Sequence, residues 1–182
     1  LAGDGLQALA FQLLAEAPGL DDAQKIAMVA ELARAAGGGG MVGGQYVDIQ
    51  ATDSDLAHGA LQAMHAMKTG ALIRAAVVLG GIAANGSRAQ LQALDGYGRD
   101  IGLAFQVKDD ILDVTGDTAT LGKTGGKDGE ANKPTYVKLL GLDGARKEAG
   151  ELLQSAIDNL QAFGDSAEDL RRLARYIVAR DH

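Results

Sequence analysis

Three aspartates and a glutamine lie on one face of a predicted helix, in the stretch "FQVKDDILDV". Because a helix turns about 100° per residue, an arc of about 140° holds five side chains, those of Phe105, Gln106, Asp109, Asp110 and Asp113. Adjacent carboxylates disfavour each other's ionisation unless a cation lies between them. Mg²⁺ takes such hard oxygen ligands and keeps water and phosphate oxygens in its shell. This acidic stripe therefore indicates one wall of a Mg²⁺–phosphate site, with a solvated acidic face as the alternative.

The segment 116–133 follows the acidic stripe, is rich in glycine and is predicted to be a loop. It carries three lysines, Lys123, Lys127 and Lys133. Lysine binds phosphate as a point charge, although a flexible basic loop is an equally simple interpretation. The stretch "GDTATLGKT" falls short of a nucleotide-binding P-loop. Leu121 stands where that pattern needs glycine, and the preceding segment is predicted to be a helix rather than a strand.

An earlier apolar segment is interrupted by Lys68, Thr69 and Gly70. A kink there would turn the Lys68 carbonyl and the Thr69 hydroxyl toward a cavity, where uncharged oxygens can stabilise a carbocation. The Lys68 ammonium could hold a phosphate, whereas a buried glycine that allows helix packing is the simpler interpretation of Gly70. Gln45 and Asp48 are one helical turn apart and predict either a polar core pair or cavity lining.

The elements that carry these residues are predicted to be helical throughout. The chain of 182 residues is 47% hydrophobic but only 4% aromatic, has 2 prolines, and shows no period-2 alternation over a strand's length. This favours a single all-α domain over residues 1–182. The predicted helices cover 5–16, 22–36, a stretch from about 39, 56–68 with continuation to 83, 87–114, 134–140, 143–163 and 166–180.

Charge and composition exclude several classes of function. A net charge of -7 makes nucleic acid and anionic membrane surfaces poor partners, and the lack of cysteine excludes thiolate chemistry. No apolar run is expected to approach the roughly 18 residues of a membrane span. No signal peptide is recognised, so a cytoplasmic location is the default expectation. The histidines show no metal-binding spacing, and His65 is interpreted as a helix-surface residue.

Five motifs occur in a characteristic order and spacing: "GGQYVD" (43–48), "KTGALIRAA" (68–76), "GLAFQVKDDILDVTGD" (102–117), "GKTGGKD" (122–128) and "NKPTY" (132–136). Together they resemble the trans-isoprenyl diphosphate synthases, most closely the bacterial farnesyl diphosphate synthases. Each motif alone is weakly specific, whereas the ordered set, which runs over nearly the whole chain, is specific.

The resemblance implies an all-α prenyltransferase fold around a central cavity, in a homodimer. It implies that Asp109, Asp110 and Asp113 form the second aspartate-rich motif, with Asp109 the chief ligand of Mg²⁺, of which the complete enzyme holds up to three ions.

The same resemblance implies the substrate contacts. Lys68, Lys123 and Lys133 would hold an allylic diphosphate, while Thr69 and Gln106 would line the cavity and stabilise the allylic cation. Phe105 would belong with Gln106 to an aromatic–amide pair. The implied reaction joins dimethylallyl or geranyl diphosphate to isopentenyl diphosphate and gives farnesyl diphosphate.

The sequence also departs from the family pattern. A first aspartate-rich motif and a basic isopentenyl diphosphate site are expected upstream, and neither is found. The chain therefore looks like the C-terminal two-thirds of a synthase and is expected to show little turnover alone. The alternatives are a synthase of longer products, a terpene cyclase, a non-catalytic helical partner subunit, and a plain helical bundle with an acidic face.

Overall fold

A computed structural model describes residues 1–51, 56–115 and 134–181 of the chain, and these residues are helical with no β-strand. The helices are α1 (Ala2–Ala15), α2 (Asp22–Ala36), α3 (Met41–Gln50), α4 (His58–His65), α5 (Ala71–Ala83), α6 (Arg88–Thr115), α7 (Tyr136–Asn159) and α8 (Glu168–Ala179). A π-helical turn, Ala66–Gly70, joins α4 to α5, and a 3₁₀ segment, Gln161–Ala167, precedes α8. The all-α prediction is confirmed.

Capping residues fix the start of two helices. The Asp21 carboxylate accepts a hydrogen bond from the Gln24 backbone N–H at 2.7 Å, and the Gln24 side chain accepts one from the Asp21 backbone N–H at 3.1 Å. Ser87 and Gln90 form the same reciprocal pair before α6, at 2.8 and 3.3 Å. The starts predicted at 22 and 87 therefore agree with the structure to within one residue.

The central helix is α6, which packs against α5, α7, α8 and the π-turn and is therefore buried on several faces. Its apolar residues divide between two core clusters. One lies toward its C-terminal half and contains Leu61, Met64, Leu103, Val107, Ile111, Tyr136, Ala145 and Ala149. The other lies toward its N-terminal half and contains Leu94, Tyr97, Ile101, Ala104, Ala156, Leu160, Ala167 and Ala174.

A π-turn stands where the sequence predicted a kink. Close packing surrounds it, because a Cβ atom on Gly102 of α6 would lie 2.8 Å from the Gly70 Cα, and one on Gly44 of α3 would lie 2.2 Å from the Lys68 backbone nitrogen. Real Cβ atoms do not approach backbone that closely, so only glycine lets α3 and α6 contact this turn. The predicted kink is therefore present. The close packing requires glycine at 44 and 102 rather than at 70, where an added Cβ would lie 3.6 Å from its nearest neighbour, the His65 carbonyl oxygen.

The C-terminal helices differ from the prediction at their boundaries. The helices predicted at 134–140 and 143–163 form one element, α7, which is broken at Gly141, where φ is 71°. Helical geometry stops at Asn159, and Gly164, with φ 56°, turns the chain toward α8. Both of these positive φ angles fall on glycine, the residue that adopts them without strain. The predicted break between 140 and 143 therefore falls at Gly141, whereas the helix end predicted at 163 lies four residues beyond the end of α7.

One helical run within the described residues, His58–Ala83, is long and apolar enough to cross a membrane by length and composition. The expectation that no apolar run approaches that length was therefore wrong. A single such run is weak grounds for a membrane span, because core helices of soluble proteins meet the same criterion. The run also carries Lys68 and Arg74, both of which form ion pairs.

Candidate active site

The acidic stripe lies at the C-terminal end of α6, and burial separates its members. Asp110 is 5% exposed, Asp109 is half-buried and Asp113 is exposed. Val107 and Ile111, which alternate with the acids, are core residues, so packing fixes the rotation of the helix. The three carboxylates thus share one helix end but lie at three depths.

Asp110 ties α6 to the start of α7. Its Oδ2 accepts a hydrogen bond from the backbone N–H of Tyr136 at 2.7 Å. Burial raises the pKa of Asp110 to about 6, and the carboxylates of Asp113 and Asp109 add to that effect, while the Tyr136 and Gln106 hydrogen bonds oppose it. Asp110 therefore acts here first as an anchor for the residues that follow the 116–133 segment.

Gln106 connects the stripe to the π-turn. The Thr69 hydroxyl lies 3.0 Å from Gln106 Oε1, to which it donates, and the Gln106 side chain also bonds to Asp110. Thr69, Gln106, Asp110 and Tyr136 thus form one hydrogen-bonded chain across three elements. The structure brings together two predicted site residues, Thr69 and Gln106, that are 37 positions apart in sequence.

Lys68 is held by Asp48. Its ammonium lies 2.6 Å from Asp48 Oδ2, and this carboxylate is buried while the lysine side chain is one-third exposed, at 33%. Gln45, the other residue of the predicted pair, is exposed. Asp48 and Gln45 therefore do not share an environment, and Asp48 orients the lysine that the sequence had assigned to a diphosphate.

Arg180 is a site residue that sequence analysis missed. It follows the last residue of α8, and its guanidinium pairs with the Asp109 carboxylate and lies 4.4 Å from the centroid of the Phe105 ring. Its positive charge also contributes to the lowered pKa of Lys108, although burial is the larger cause. No local pattern marks an arginine at a helix end as part of a site 71 residues away, so the sequence offered no signal.

His65 is buried, so its interpretation as a helix-surface residue was wrong. Its ring meets the Tyr136 ring edge-on at a centroid distance of 5.7 Å, and His58 meets the same ring in the same way. Burial lowers the pKa of His65 to about 4, and Lys68 lowers it further while Asp48 opposes. The imidazole is therefore neutral at pH 7 and packs the π-turn region against α7.

The donor set suits a hard divalent cation only in part. No group of three or more His, Cys, Asp or Glu side chains is arranged to hold a metal within 1–51, 56–115 and 134–181. Asp109, which pairs with Arg180, and Asp113 carry carboxylate oxygens one helical turn apart, and the buried Asp110 carboxylate accepts from Tyr136. Such a pair fits Mg²⁺ that takes its other ligands from water and phosphate. Lys123, Lys127 and Lys133 lie outside the described residues.

A cavity of about 630 Å³ lies behind the π-turn rather than at the stripe. Its lining includes Gly38, Gly70 and three arginines, Arg34, Arg74 and Arg99. Each arginine forms an ion pair with an acid. Arg34 pairs with Glu31, Arg74 pairs with both Glu31 and Asp95, and Arg99 pairs with Asp100. These pairs neutralise the cavity wall, and we assign the candidate active site to the stripe and the π-turn instead.

Comparison with protein families matches residues 1–176 to the polyprenyl synthetase family. A farnesyl diphosphate synthase of Escherichia coli is 49% identical over 187 residues, which cover 100% of this chain and 62% of that protein. A chloroplastic geranylgeranyl pyrophosphate synthase of Arabidopsis thaliana is 42% identical, over 100% of this chain and 54% of its own length.

Solved structures show the same fold. An FPP/GFPP synthase of Zymomonas mobilis has a TM-score of 0.84 at 38% identity, covering 97% of this chain and 59% of its own. A geranyltransferase of Helicobacter pylori, complexed with magnesium and isoprenyl diphosphate, has a TM-score of 0.80 at 31% identity. The match covers 97% of this chain and 57% of that chain. The chain thus spans about three-fifths of the length of these relatives.

Proposed function

The chain belongs to the polyprenyl synthetase family, and on that premise we propose that it carries the allylic-diphosphate site of a Mg²⁺-dependent farnesyl diphosphate synthase. The observation that carries the proposal is the hydrogen bond between Thr69 and Gln106, which joins the π-turn that also carries Lys68 to the helix end that carries the acidic stripe. A plain helical bundle gives no reason for a π-turn and an acidic helix end to meet in this way.

Each described residue has a role in the proposed reaction. Lys68, oriented by Asp48, would bind the diphosphate of dimethylallyl or geranyl diphosphate as a point charge. Asp109 and Asp113 would hold Mg²⁺, and the ion would supply positive charge to a departing diphosphate. The Thr69 hydroxyl and the Gln106 amide would present their oxygens to the allylic cation.

The double bond of isopentenyl diphosphate then attacks the cation, and a proton is lost to the departed diphosphate. Lys123 and Lys133 are proposed as further diphosphate contacts. Phe105, Gln45 and Asp48 are proposed as lining of the substrate site, which is distinct from the cavity behind the π-turn. A homodimer and a cytoplasmic location belong to the same proposal, which rests on the family and not on contacts in this chain.

Calorimetric titration with geranyl diphosphate, with and without Mg²⁺, tests the site. We expect binding that requires Mg²⁺ and is lost in Asp109→Asn. Asp143→Asn on α7 removes an equal charge from an exposed residue and should bind like the wild type. Equal binding by Asp109→Asn and Asp143→Asn would refute a role for the stripe, and no binding by any variant would refute the proposal for this chain.

A synthase of longer products is the second candidate, because geranylgeranyl pyrophosphate synthases are also more than 40% identical to the chain. Because little turnover is expected from the chain alone, the products made from geranyl and isopentenyl diphosphates are separated by chromatography after the expected upstream segment has been restored. Farnesyl diphosphate alone supports the proposal, and longer products support the alternative. A non-catalytic partner subunit is disfavoured by an acidic stripe that keeps all three carboxylates. It would be supported if the chain formed a complex with an active synthase on size-exclusion chromatography and bound no geranyl diphosphate by itself.

A further inference from the structure

Arg180 and Asp109 form an ion pair in which the two partners differ in exposure. The arginine side chain is 14% exposed and the aspartate side chain is 35% exposed. The guanidinium is shielded on one side by the Phe105 ring, 4.4 Å from its centroid. The carboxylate therefore keeps a side open to solvent from which another cation can approach, while the arginine is enclosed by the protein.

Charge balance gives this pair a consequence for metal binding. Asp109, Asp110 and Asp113 lie within five consecutive residues at the C-terminal end of α6, so three carboxylates share one helix end. A single guanidinium offsets part of that charge, and a divalent cation would offset more of it. Both cations need the oxygens of the same carboxylate.

We infer that Arg180 is a positioning residue that holds the Asp109 carboxylate in place until a divalent cation displaces it, so that Arg180 and the metal compete for Asp109. The inference rests on the proposed function, which places the metal at Asp109. Phe105 gives the displaced guanidinium a remaining partner through cation–π attraction, so the exchange does not require α8 to leave the bundle.

Competition between Arg180 and a metal ion for Asp109 should lower the apparent metal affinity by a measurable factor. If the ion pair is formed about nine-tenths of the time, only about one-tenth of the molecules are ready to bind metal, and the apparent affinity falls about tenfold. Removing the guanidinium should therefore strengthen metal binding, whereas a residue that only supports the fold would weaken it or leave it unchanged.

Titration with Mn²⁺, with the free ion counted by electron paramagnetic resonance, tests the inference on the 182-residue chain. Arg180→Gln should bind about tenfold more tightly than the wild type. Arg175→Gln, which breaks an exposed pair with Glu168 on the same helix, should bind like the wild type, and Asp109→Asn should lose binding. Equal or weaker binding by Arg180→Gln, with binding still lost in Asp109→Asn, would overturn the inference and leave the proposed metal site standing.

Two other results of this titration would overturn both ideas: binding that survives in Asp109→Asn, or no binding by either the wild type or Arg180→Gln. Thermal unfolding supplies a second readout. In excess chelator, Arg180→Gln should melt below the wild type, and saturating Mn²⁺ should narrow that gap because the tighter-binding variant gains more stabilisation. An unchanged gap would also count against competition.

Discussion

The carboxyl groups of Asp109, Asp110 and Asp113 belong to one motif but have different surroundings. Asp109 meets a guanidinium, Asp110 meets a backbone N–H, and Asp113 lies at the surface. The hydrogen bond from the Tyr136 N–H to Asp110 is buried. If the Asp110 carboxylate is removed, water cannot take its place as the acceptor. A role shared equally by the three acids is therefore not what their environments suggest.

Truncation of Asp110 should accordingly destabilise the fold more than truncation of Asp113. Asp110→Ala leaves the Tyr136 N–H without its acceptor and should lower the free energy of unfolding by about 1–3 kcal/mol. Asp113→Ala, at an exposed position, should change it by no more than about 0.5 kcal/mol. Urea denaturation at pH 7 measures both, and equal losses would contradict the division of roles.

His65 should make stability depend on pH. Because its pKa is about 4 in the folded chain and 6.5 in the unfolded chain, the unfolded state binds more protons between these values. The contribution of His65 to the free energy of unfolding is fully present above pH 6.5. It falls by about 3 kcal/mol as the pH drops to 4, because these two pKa values set the limits of the window.

Urea denaturation between pH 7 and pH 4 checks this expectation. In His65→Gln the side chain at 65 does not titrate. The free energy of unfolding of this variant should therefore fall by about 3 kcal/mol less than that of the wild type over that range. His58→Gln is the matched control, since His58 is exposed and contacts the same Tyr136 ring. A pH dependence of His65→Gln that equals that of the wild type would assign the effect to other groups.

At the scale of the elements, the contact between α6 and the π-turn places Gln106 beside Thr69. Gly102 allows that contact because its missing Cβ would lie 2.8 Å from the Gly70 Cα. A side chain at Gly102 would force the two backbones apart, and the hydrogen bond of 3.0 Å could not be kept. The site therefore depends on Gly102, a residue that performs no chemistry.

Gly102→Ala should lower the free energy of unfolding by about 1–3 kcal/mol through overpacking and should weaken geranyl diphosphate binding. Gly80→Ala on α5 is the control, since nothing lies within 4 Å of its added Cβ. That change should raise stability by about 0.5–1 kcal/mol, because alanine favours helix. Thermal unfolding and calorimetry compare the two, and a neutral Gly102→Ala would show that the backbones can separate without loss.

At the scale of the whole molecule, α1 presents an apolar stripe that no described element covers. No residue of α1 is buried, and Leu6, Leu9 and Leu13, which share one helix face, are exposed. Contiguous apolar surface of this kind is typical of an interaction site. The proposed homodimer provides one occupant for it.

Leu6→Glu combined with Leu13→Glu should therefore shift the chain from dimer to monomer. Leu173→Glu is the control, because Leu173 is an exposed leucine on α8. Sedimentation velocity over a concentration range measures the masses. If the double variant is still a dimer, the dimer contact does not depend on Leu6 and Leu13. If the wild type is a monomer at all concentrations, the proposed homodimer is contradicted.

Local rules were enough for much of this protein. Helix periodicity, capping residues and the spacing of Gln106 and the aspartates are fixed within one or two turns, so the all-α fold, most helix limits and the acidic stripe followed from the sequence. The family resemblance added the expected chemistry, and the family itself is confirmed.

Only the tertiary structure decided the partners of those residues. The Asp48–Lys68, Thr69–Gln106, Asp110–Tyr136 and Asp109–Arg180 pairs join positions 20, 37, 26 and 71 residues apart. The burial of His65 also depends on Tyr136, which is supplied by α7. Such contacts depend on how whole helices pack, and helix packing is set by close approaches, as at Gly44 and Gly102, that no periodicity encodes.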